Sequence, residues 1–206
     1  MVNALIATED ERFYEHAGID WRGTLRAFVY LGKRGGASTI SQQLARQIFV
    51  GVRSRNIVKT VLQKAQEWVI AIQLEQRYTK KEILAMYLNK YDFGYQADGV
   101  QSAAKIFFNK TPQALSIEES ATLVGMLKNS SLFNPIRRPE RVRKRRNTVF
   151  QQMLRNDLIN AEALDSLSKL PLVISYTPES HREGLATYFR AYLKEFMDGW
   201  IKANPR

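Results

Sequence analysis

The chain has no cysteine and, among its 206 residues, only two histidines, six prolines and eleven glycines. The absence of cysteine excludes disulfide staples and thiolate metal sites, but it leaves the compartment open, because such a chain suits an oxidising exterior as well as the cytoplasm. No run of about 18 uncharged apolar residues occurs, so no stretch reads as a membrane span or a secretory signal. Strand-like alternation is nearly missing, and there is no internal repeat or low-complexity tract. With Gly and Pro sparse as well, the pattern predicts an all-α fold of about eight to ten helices around one core. Acid is in deficit, 20 Asp and Glu against 31 Lys and Arg, and the net charge of +11 predicts attraction to something anionic: nucleic acid, a lipid surface or a diphosphate. A hydrophobic content of 45% supports a real core.

The chemistry is concentrated in residues 7–20. Glu9, Asp10, Glu11, Arg12, Glu15 and His16 surround Phe13 and Tyr14, and Gly18 permits a helix to end in a sharp turn. Glu9 follows the apolar run Ala4-Leu5-Ile6-Ala7, so its carboxylate can be half-buried, the setting of a useful general base. The alternative is a solvated, charged helix end.

The spacing predicts helices over residues 2–14 and 21–31, the second capped by Asp20. Trp21, Leu25, Phe28, Val29 and Leu31 give that second helix an apolar face flanked by Arg22, Arg26 and Lys33, which suits either membrane headgroups or a core. Gly35 and Gly36 lead into another helix, started by Thr39 with Gln42 at capping-box spacing, and its free N–H groups suit phosphate oxygens. Ile40, Leu44 and Ile48 form its expected buried stripe, while Gln42 and Arg46 share another face. Residues 57–78 carry the longest helical pattern, with Ile57, Val61, Ala65, Trp68 and Ile72 in register, and the apolar stretch 68–74 predicts passage through the core. Lys64 and Glu67 stand three apart just ahead of it, as in a simple ion pair. Further helices are expected over 79–89, the first of these opened by a Thr79/Glu82 capping box, and over 99–108 and 117–127. Arg137, Arg138, Arg141 and residues 143–146 form the densest basic run, read as a solvated cationic face or a contact for anionic lipid. No stacking aromatics are interleaved with it, so nucleic acid is not expected. Residues 172–176 look like a short strand and 181–200 like an amphipathic helix.

Several strings then recur in a familiar order. Glu9, Asp10, Phe13, His16 and Gly18 reproduce E-D-x-x-F-x-x-H-x-G, and residues 36–44 follow G-[GA]-S-T-I-[TS]-Q-Q-L. Lys64 and Glu67 follow R-K-x-x-E with Gln63 in place of Arg, and residues 80–89 follow K-x-E-I-L-x-x-Y-L-N. Residues 125–135 follow G-x-x-x-x-P-x-x-x-N-P with Ser130 in place of the first proline, and Asp92 interrupts an aromatic pair. Together, over residues 1 to about 155, they resemble the motifs of the peptidoglycan glycosyltransferase family, the polymerase domain of class A penicillin-binding proteins and of their monofunctional relatives.

The resemblance implies a lysozyme-like, all-α catalytic domain over residues 1–169 with a small membrane-proximal helical lobe. Residues 170–206 would be a connector toward a transpeptidase domain, and an anchor helix would precede residue 1. The implied reaction is inverting: lipid II is polymerised into β-1,4 glycan strands with release of undecaprenyl diphosphate, at the extracytoplasmic face of the bacterial cytoplasmic membrane. By residue-for-residue carry-over, Glu9 is the expected base, and Glu67 orients the donor or stabilises developing charge. Asp10, Phe13, His16, Ser38, Thr39, Gln42, Gln43, Arg46 and Lys64 are expected to bind substrate, with a divalent cation, Mg or Mn, bridging the diphosphate oxygens. Expected partners are lipid II, the lipid-linked glycan chain, the membrane surface and other cell-wall synthesis proteins. One rival is a lysozyme-like hydrolase or lytic transglycosylase, also built around a lone Glu. Another is a non-catalytic membrane- or glycan-binding module, for which the positive charge and the Trp21 face suffice.

Overall fold

A computed structural model describes residues 1–29, 38–51, 54, 56–177 and 187–204. In chain order the helices are α1 (Val2–Glu9), α2 (Trp21–Val29), α3 (Ile40–Ala45), α4 (Ile57–Arg77), α5 (Lys80–Lys90), α6 (Gly99–Phe108), α7 (Ile117–Met126), α8 (Pro139–Arg155), α9 (Ala161–Lys169) and α10 (Thr187–Ala203). A π-helical turn, Arg46–Val50, continues α3, and a 3-10 turn spans Pro112–Ala114. No strand occurs among the described residues, in agreement with the all-α expectation. The glycines at 35 and 36, and His181 at the start of the expected last helix, lie outside the described residues.

Local chemistry explains most helix starts. Thr79 with Glu82 and Ser116 with Glu119 form complete capping boxes at α5 and α7. Asp20 accepts from the backbone N–H of Gly23 at 3.0 Å and so starts α2. At α3 only half of the expected box forms: Thr39 Oγ1 accepts from the N–H of Gln42 at 3.2 Å, but the Gln42 side chain turns away to donate to the Gly18 carbonyl at 3.2 Å. The first helix stops at Glu9 rather than near Tyr14, because Asp10 leaves helical geometry (φ −160°, ψ 72°) and the chain then turns through residues 11–18.

The core lies around α7, which is buried at every residue from Ser120 to Met126 and packs against α8 and α1. Leu5, Phe13, Ile40, Leu44, Ile83, Tyr87, Phe107, Val149 and Phe150 close around it. The expectation that α4 runs through the core is overturned. Only Glu67, Ala71 and Leu74 of α4 are buried, whereas Ile57, Val58, Val61, Leu62, Val69 and Ile72 are exposed. Ile48, expected on the buried stripe of α3, is also exposed, since the π-helical turn shifts the register after Ala45. Each large apolar side chain left in water forgoes about 1.5–3 kcal/mol, so this face of α4 is not shaped by the stability of the chain alone.

The expected strand at 172–176 is an extended strap without a sheet. Its backbone N–H groups at Ser175 and Thr177 donate to the carbonyls of Phe107 and Ile106 at 2.9 and 2.8 Å, which satisfies the last turn of α6. Arg146, 1% exposed, holds the start of the strap by donating to the Leu170 carbonyl at 2.6 Å and the Pro171 carbonyl at 3.1 Å. The strap thereby stays packed on α6 and α8 as far as Thr177.

Gly18 is where the 11–18 loop meets α4. Its φ is +94°, and a Cβ there would lie 2.8 Å from the backbone carbon of Ala71. Gly18→Ala is expected to lower stability by more than about 1 kcal/mol, through both the left-handed backbone and the clash; thermal melts of the two proteins check this. Tyr87 supplies a second test. It is fully buried, and burial pushes its phenol well above the usual 10.0, with the charge of Glu9 adding to the shift. A raised folded-state value means that the stabilisation is complete below pH 10.0 and is lost as pH rises toward the folded value. Stability is expected to fall above that point by about 1.4 kcal/mol per pH unit for one such group, and Tyr87→Phe should flatten the fall in melts taken through the alkaline range.

Candidate active site

Four helices converge on Glu9. The residue ends α1, its side chain is 16% exposed, and each carboxylate oxygen has a donor: Arg145 Nη2 of α8 at 3.2 Å from Oε1, and Gln43 Nε2 of α3 at 3.4 Å from Oε2. The far end of the Gln43 amide accepts from the Tyr87 hydroxyl of α5 at 2.9 Å. Burial lowers the pKa of the Arg145 guanidinium and the charge of Glu9 opposes that shift, as expected of a partly dehydrated ion pair.

Next to Gln43, Gln42 faces the opposite way. Its carbonyl oxygen accepts from Lys64 Nζ at 3.0 Å, and the same ammonium donates to Ser38 Oγ at 2.9 Å and Glu67 Oε2 at 2.9 Å. Glu67 is 2% exposed, so its charge is matched where it is buried, while the Lys64 side chain keeps 30% of its surface open. Consecutive residues of one short helix thus join the Glu9 cluster to the Lys64–Glu67 cluster. Neither the solvated Gln/Arg face nor the simple i,i+3 pair describes this arrangement, since both Gln42 and Glu67 are buried.

A third network lies beneath. Asp10 accepts from His16 Nε2 at 3.1 Å and from the backbone N–H of Ile40 at 2.9 Å, at the first turn of α3. His16 Nδ1 accepts from the N–H of Gly18 at 3.2 Å, which fixes the tautomer with its proton on Nε2. Thr39 Oγ1 donates to the Gly18 carbonyl at 2.7 Å. Lys80 Nζ donates to the His16 carbonyl at 2.6 Å and to Glu75 Oε1 at 2.8 Å, and it lies 4.4 Å from the centre of the Phe13 ring. Ser41 donates to the same Glu75 oxygen at 2.5 Å.

The structure therefore sorts the sequence-predicted residues. Glu9 and Gln43 meet directly, and Ser38, Gln42, Lys64 and Glu67 form one cluster. Asp10, His16 and Thr39 are engaged with backbone and brace the loop against α3. Phe13 departs from the expected substrate contact: its ring is 0% exposed, edge-on to Tyr14 and His16, so it packs beneath the loop and offers no surface to a ligand. Arg46 is half-buried on the π-helical turn, near enough to Tyr87 for its charge to oppose that of Glu9 there. The cation that meets Glu9 is neither Arg46 nor Lys64. It is Arg145, from the run read as a solvated face, and its neighbour Arg146 is buried too. For Arg146 the signal was present, since Val142, Arg146, Val149, Phe150 and Met153 share one helical stripe and an arginine on that stripe has to be inside; Arg145 lies off the stripe and carried none.

The departures from the motif patterns also have local roles. Gln63 Oε1 accepts from the N–H of Ser54 at 2.9 Å, ahead of α4. Ser130 lies beside the Tyr91 phenol, whose hydroxyl donates to the Met126 carbonyl at 2.9 Å. Asp92 Oδ1 accepts from the N–H of Gly94 at 2.6 Å in the turn that follows α5. Two S-x-x-K strings exist, at Ser102/Lys105 and Ser166/Lys169, but their lysines bind Asn109 at 2.6 Å and Asp165 at 2.5 Å, and Ser166 donates to the Glu162 carbonyl, so neither is a Ser–Lys nucleophile pair. Among the described residues no three His, Asp or Glu side chains converge to hold a metal ion.

Residues 1–154 match the family model described as Transglycosylase. Penicillin-binding protein 1A of Haemophilus influenzae is 42% identical over 180 residues, which is 85% of this chain and 20% of that protein. Penicillin-binding protein 1A of Escherichia coli is 44% identical over 169 residues, 80% of this chain and 19% of that one. Penicillin-binding protein 1F of Bacillus subtilis is 38% identical over 200 residues, 95% of this chain and 27% of that one. A crystal structure of the Haemophilus influenzae protein superposes with a TM-score of 0.47 at 35% identity, over 58% of this chain and 17% of the other. The chain thus spans only about a fifth to a quarter of the length of these relatives. With the family model covering three quarters of its residues in the order of the motifs, the chain belongs to the transglycosylase family.

Proposed function

We propose that this domain transfers glycosyl units between lipid carriers, polymerising lipid II into β-1,4 glycan strands of peptidoglycan with undecaprenyl diphosphate as leaving group. The observation that carries the reading is Glu9, shielded and clamped by donors on both oxygens, one residue of α3 away from the Ser38–Gln42–Lys64–Glu67 cluster. An alcohol is a poor nucleophile until a base takes its proton. A carboxylate has about four lone-pair sites, so the donors from Arg145 and Gln43 leave room for the 4-hydroxyl of an acceptor sugar. Glu9 takes that proton as the oxygen attacks the anomeric carbon of the growing strand. The diphosphate departs from the opposite face, which inverts the centre.

The departing diphosphate needs cations rather than a general acid. Lys64 fills that role, with Arg46 at the end of α3 as a second cation. A diphosphate oxygen can displace Ser38 or Gln42 from the ammonium without leaving Glu67 uncompensated. Asp10, His16 and Thr39 keep the loop and the start of α3 in register, and Glu67 orients Lys64 and the donor sugar. A divalent cation, Mg or Mn, belongs to the same proposal: with no cluster of protein carboxylates or imidazoles to bind it among the described residues, it would take its ligands chiefly from the diphosphate and water, and it would supply further neutralisation of the leaving group. A hydrolase reading needs Glu9 to donate a proton to a sugar oxygen, yet both of its neighbours are donors that hold it as an acceptor.

The setting is the outer surface of the cytoplasmic membrane. Among the described residues no helix is long and apolar enough to cross a bilayer. Trp21, Leu25 and Val29 of α2 and Ile57, Val58, Val61 and Leu62 of α4 are nevertheless exposed, and Trp21 meets Trp68 edge-on at 5.8 Å, which makes the two faces neighbours. Arg22 and Arg26 flank them, as on an interfacial helix that meets anionic headgroups. Such a surface brings the site to lipid-borne substrates, and cell-wall synthesis proteins are the expected protein partners.

Glu9→Gln keeps the shape and removes the base. Polymerisation of labelled lipid II in detergent should fall by about 100-fold or more with the circular dichroism unchanged, and turnover near wild type would falsify the assignment. Chelation of divalent ions should slow the same assay and added Mg or Mn restore it; an unchanged rate removes the ion from the proposal.

A further inference from the structure

We propose that Tyr87 is a positioning residue for Glu9, acting through Gln43: it anchors the oxygen end of the amide so that the nitrogen end stays on the carboxylate throughout turnover. The inference rests on the proposed role of Glu9 as base.

A glutamine amide is nearly symmetric in shape and opposite in chemistry at its two ends. Here the polarity is set from both sides. The Gln43 nitrogen lies 3.4 Å from Glu9 Oε2, where only a donor is tolerated, and its oxygen lies 2.9 Å from the Tyr87 hydroxyl, which must then donate. The contact to Glu9 is long, so it does not by itself hold the amide in place. It also weakens within each cycle, since the attraction of the amide to Glu9 is charge-assisted only until the carboxylate accepts the proton of the acceptor hydroxyl. The bond from Tyr87 is shorter and does not depend on that charge. It keeps the amide aimed, so that the N–H remains ready to favour the return of Glu9 to its ionised form.

Tyr87 is suited to this task and to no direct one. It is fully buried and touches no open surface, which separates it from groups that meet substrate. Its burial, with the charge of Glu9 nearby, keeps the phenol protonated across any working pH, so the donor is constant. It also stands on α5, which packs against α3 but does not contribute to the Lys64–Glu67 cluster. The Arg145 contact holds the other oxygen of Glu9 at 3.2 Å. With both oxygens held, the plane of the carboxylate is fixed.

The test is a double-mutant cycle on kcat and KM for labelled lipid II, with Tyr87→Phe, Gln43→Leu and the pair. Tyr87→Phe should reduce kcat by about 10-fold, as expected for loss of one positioning hydrogen bond, with KM within about twofold. The pair should be no slower than Gln43→Leu alone, because the phenol acts only through the amide. Losses that multiply, or a fall confined to KM, overturn the inference. Gln43→Glu gives a second readout that leaves the core intact: it retains an acceptor for Tyr87 but sets an acceptor against Glu9, and kcat should fall further than in Tyr87→Phe, whereas a wild-type kcat overturns the inference. Glu9→Gln is run alongside. If it abolishes turnover while Tyr87→Phe leaves kcat unchanged, the inference alone fails; if Glu9→Gln itself turns over normally, the assignment of the base fails and this inference with it.

Discussion

The Gly18 carbonyl, held at once by the Thr39 hydroxyl at 2.7 Å and the Gln42 amide at 3.2 Å, is the contact on which the site depends. Residues 11–18 belong to no helix, so their backbone polar groups need partners from elsewhere. A satisfied hydrogen bond adds only about 0.5–1.5 kcal/mol net, but an unsatisfied buried carbonyl costs about 1–3 kcal/mol, so the loop has few other places to go. Asp10 makes the same junction from the other direction by accepting from the N–H of Ile40. Between them these bonds set the end of α1 against the start of α3, and Glu9 against Gln43.

Charge is distributed by the same logic. A chain of net charge +11 places the cations it draws in from solvent where something answers them. Arg145 meets Glu9, Lys64 meets Glu67 and Lys80 meets Glu75. Arg146 is answered differently, by the Leu170 and Pro171 carbonyls and the Asn147 side chain, and so ties the outgoing strap to α8. Adjacent arginines on α8 therefore hold the candidate base on one side and the exit of the chain on the other. The interior is supplied by α7, whose residues from Ser120 to Met126 are enclosed, while the larger apolar surface of α4 stays outside. That division leaves the site beside an apolar, basic-flanked face rather than inside a sealed body.

Much of this was legible in the order of the residues. Helical periodicity, the scarcity of glycine and proline, and the Thr79/Glu82 capping box determined an all-α chain and several of its helix starts. The motif spacings picked out Glu9, Gln42, Gln43, Lys64 and Glu67, which the structure gathers into two linked clusters. These are local properties: a cap joins residues three apart, and a motif records which side chains share a turn.

What only the tertiary structure decided is which apolar face is inside and which cation meets which acid. The apolar pattern of α4 marked it as a core helix, and no local rule tells an apolar face turned to the interior from one turned out. The run 143–146 looked like four equivalent surface charges, because the partners of Arg145 and Arg146 lie more than a hundred residues away at Glu9 and some two dozen residues ahead at Leu170. Spacing along the chain carries no information about pairs so far apart; they are set by how α1, α3, α5 and α8 pack, and packing is a property of the whole core.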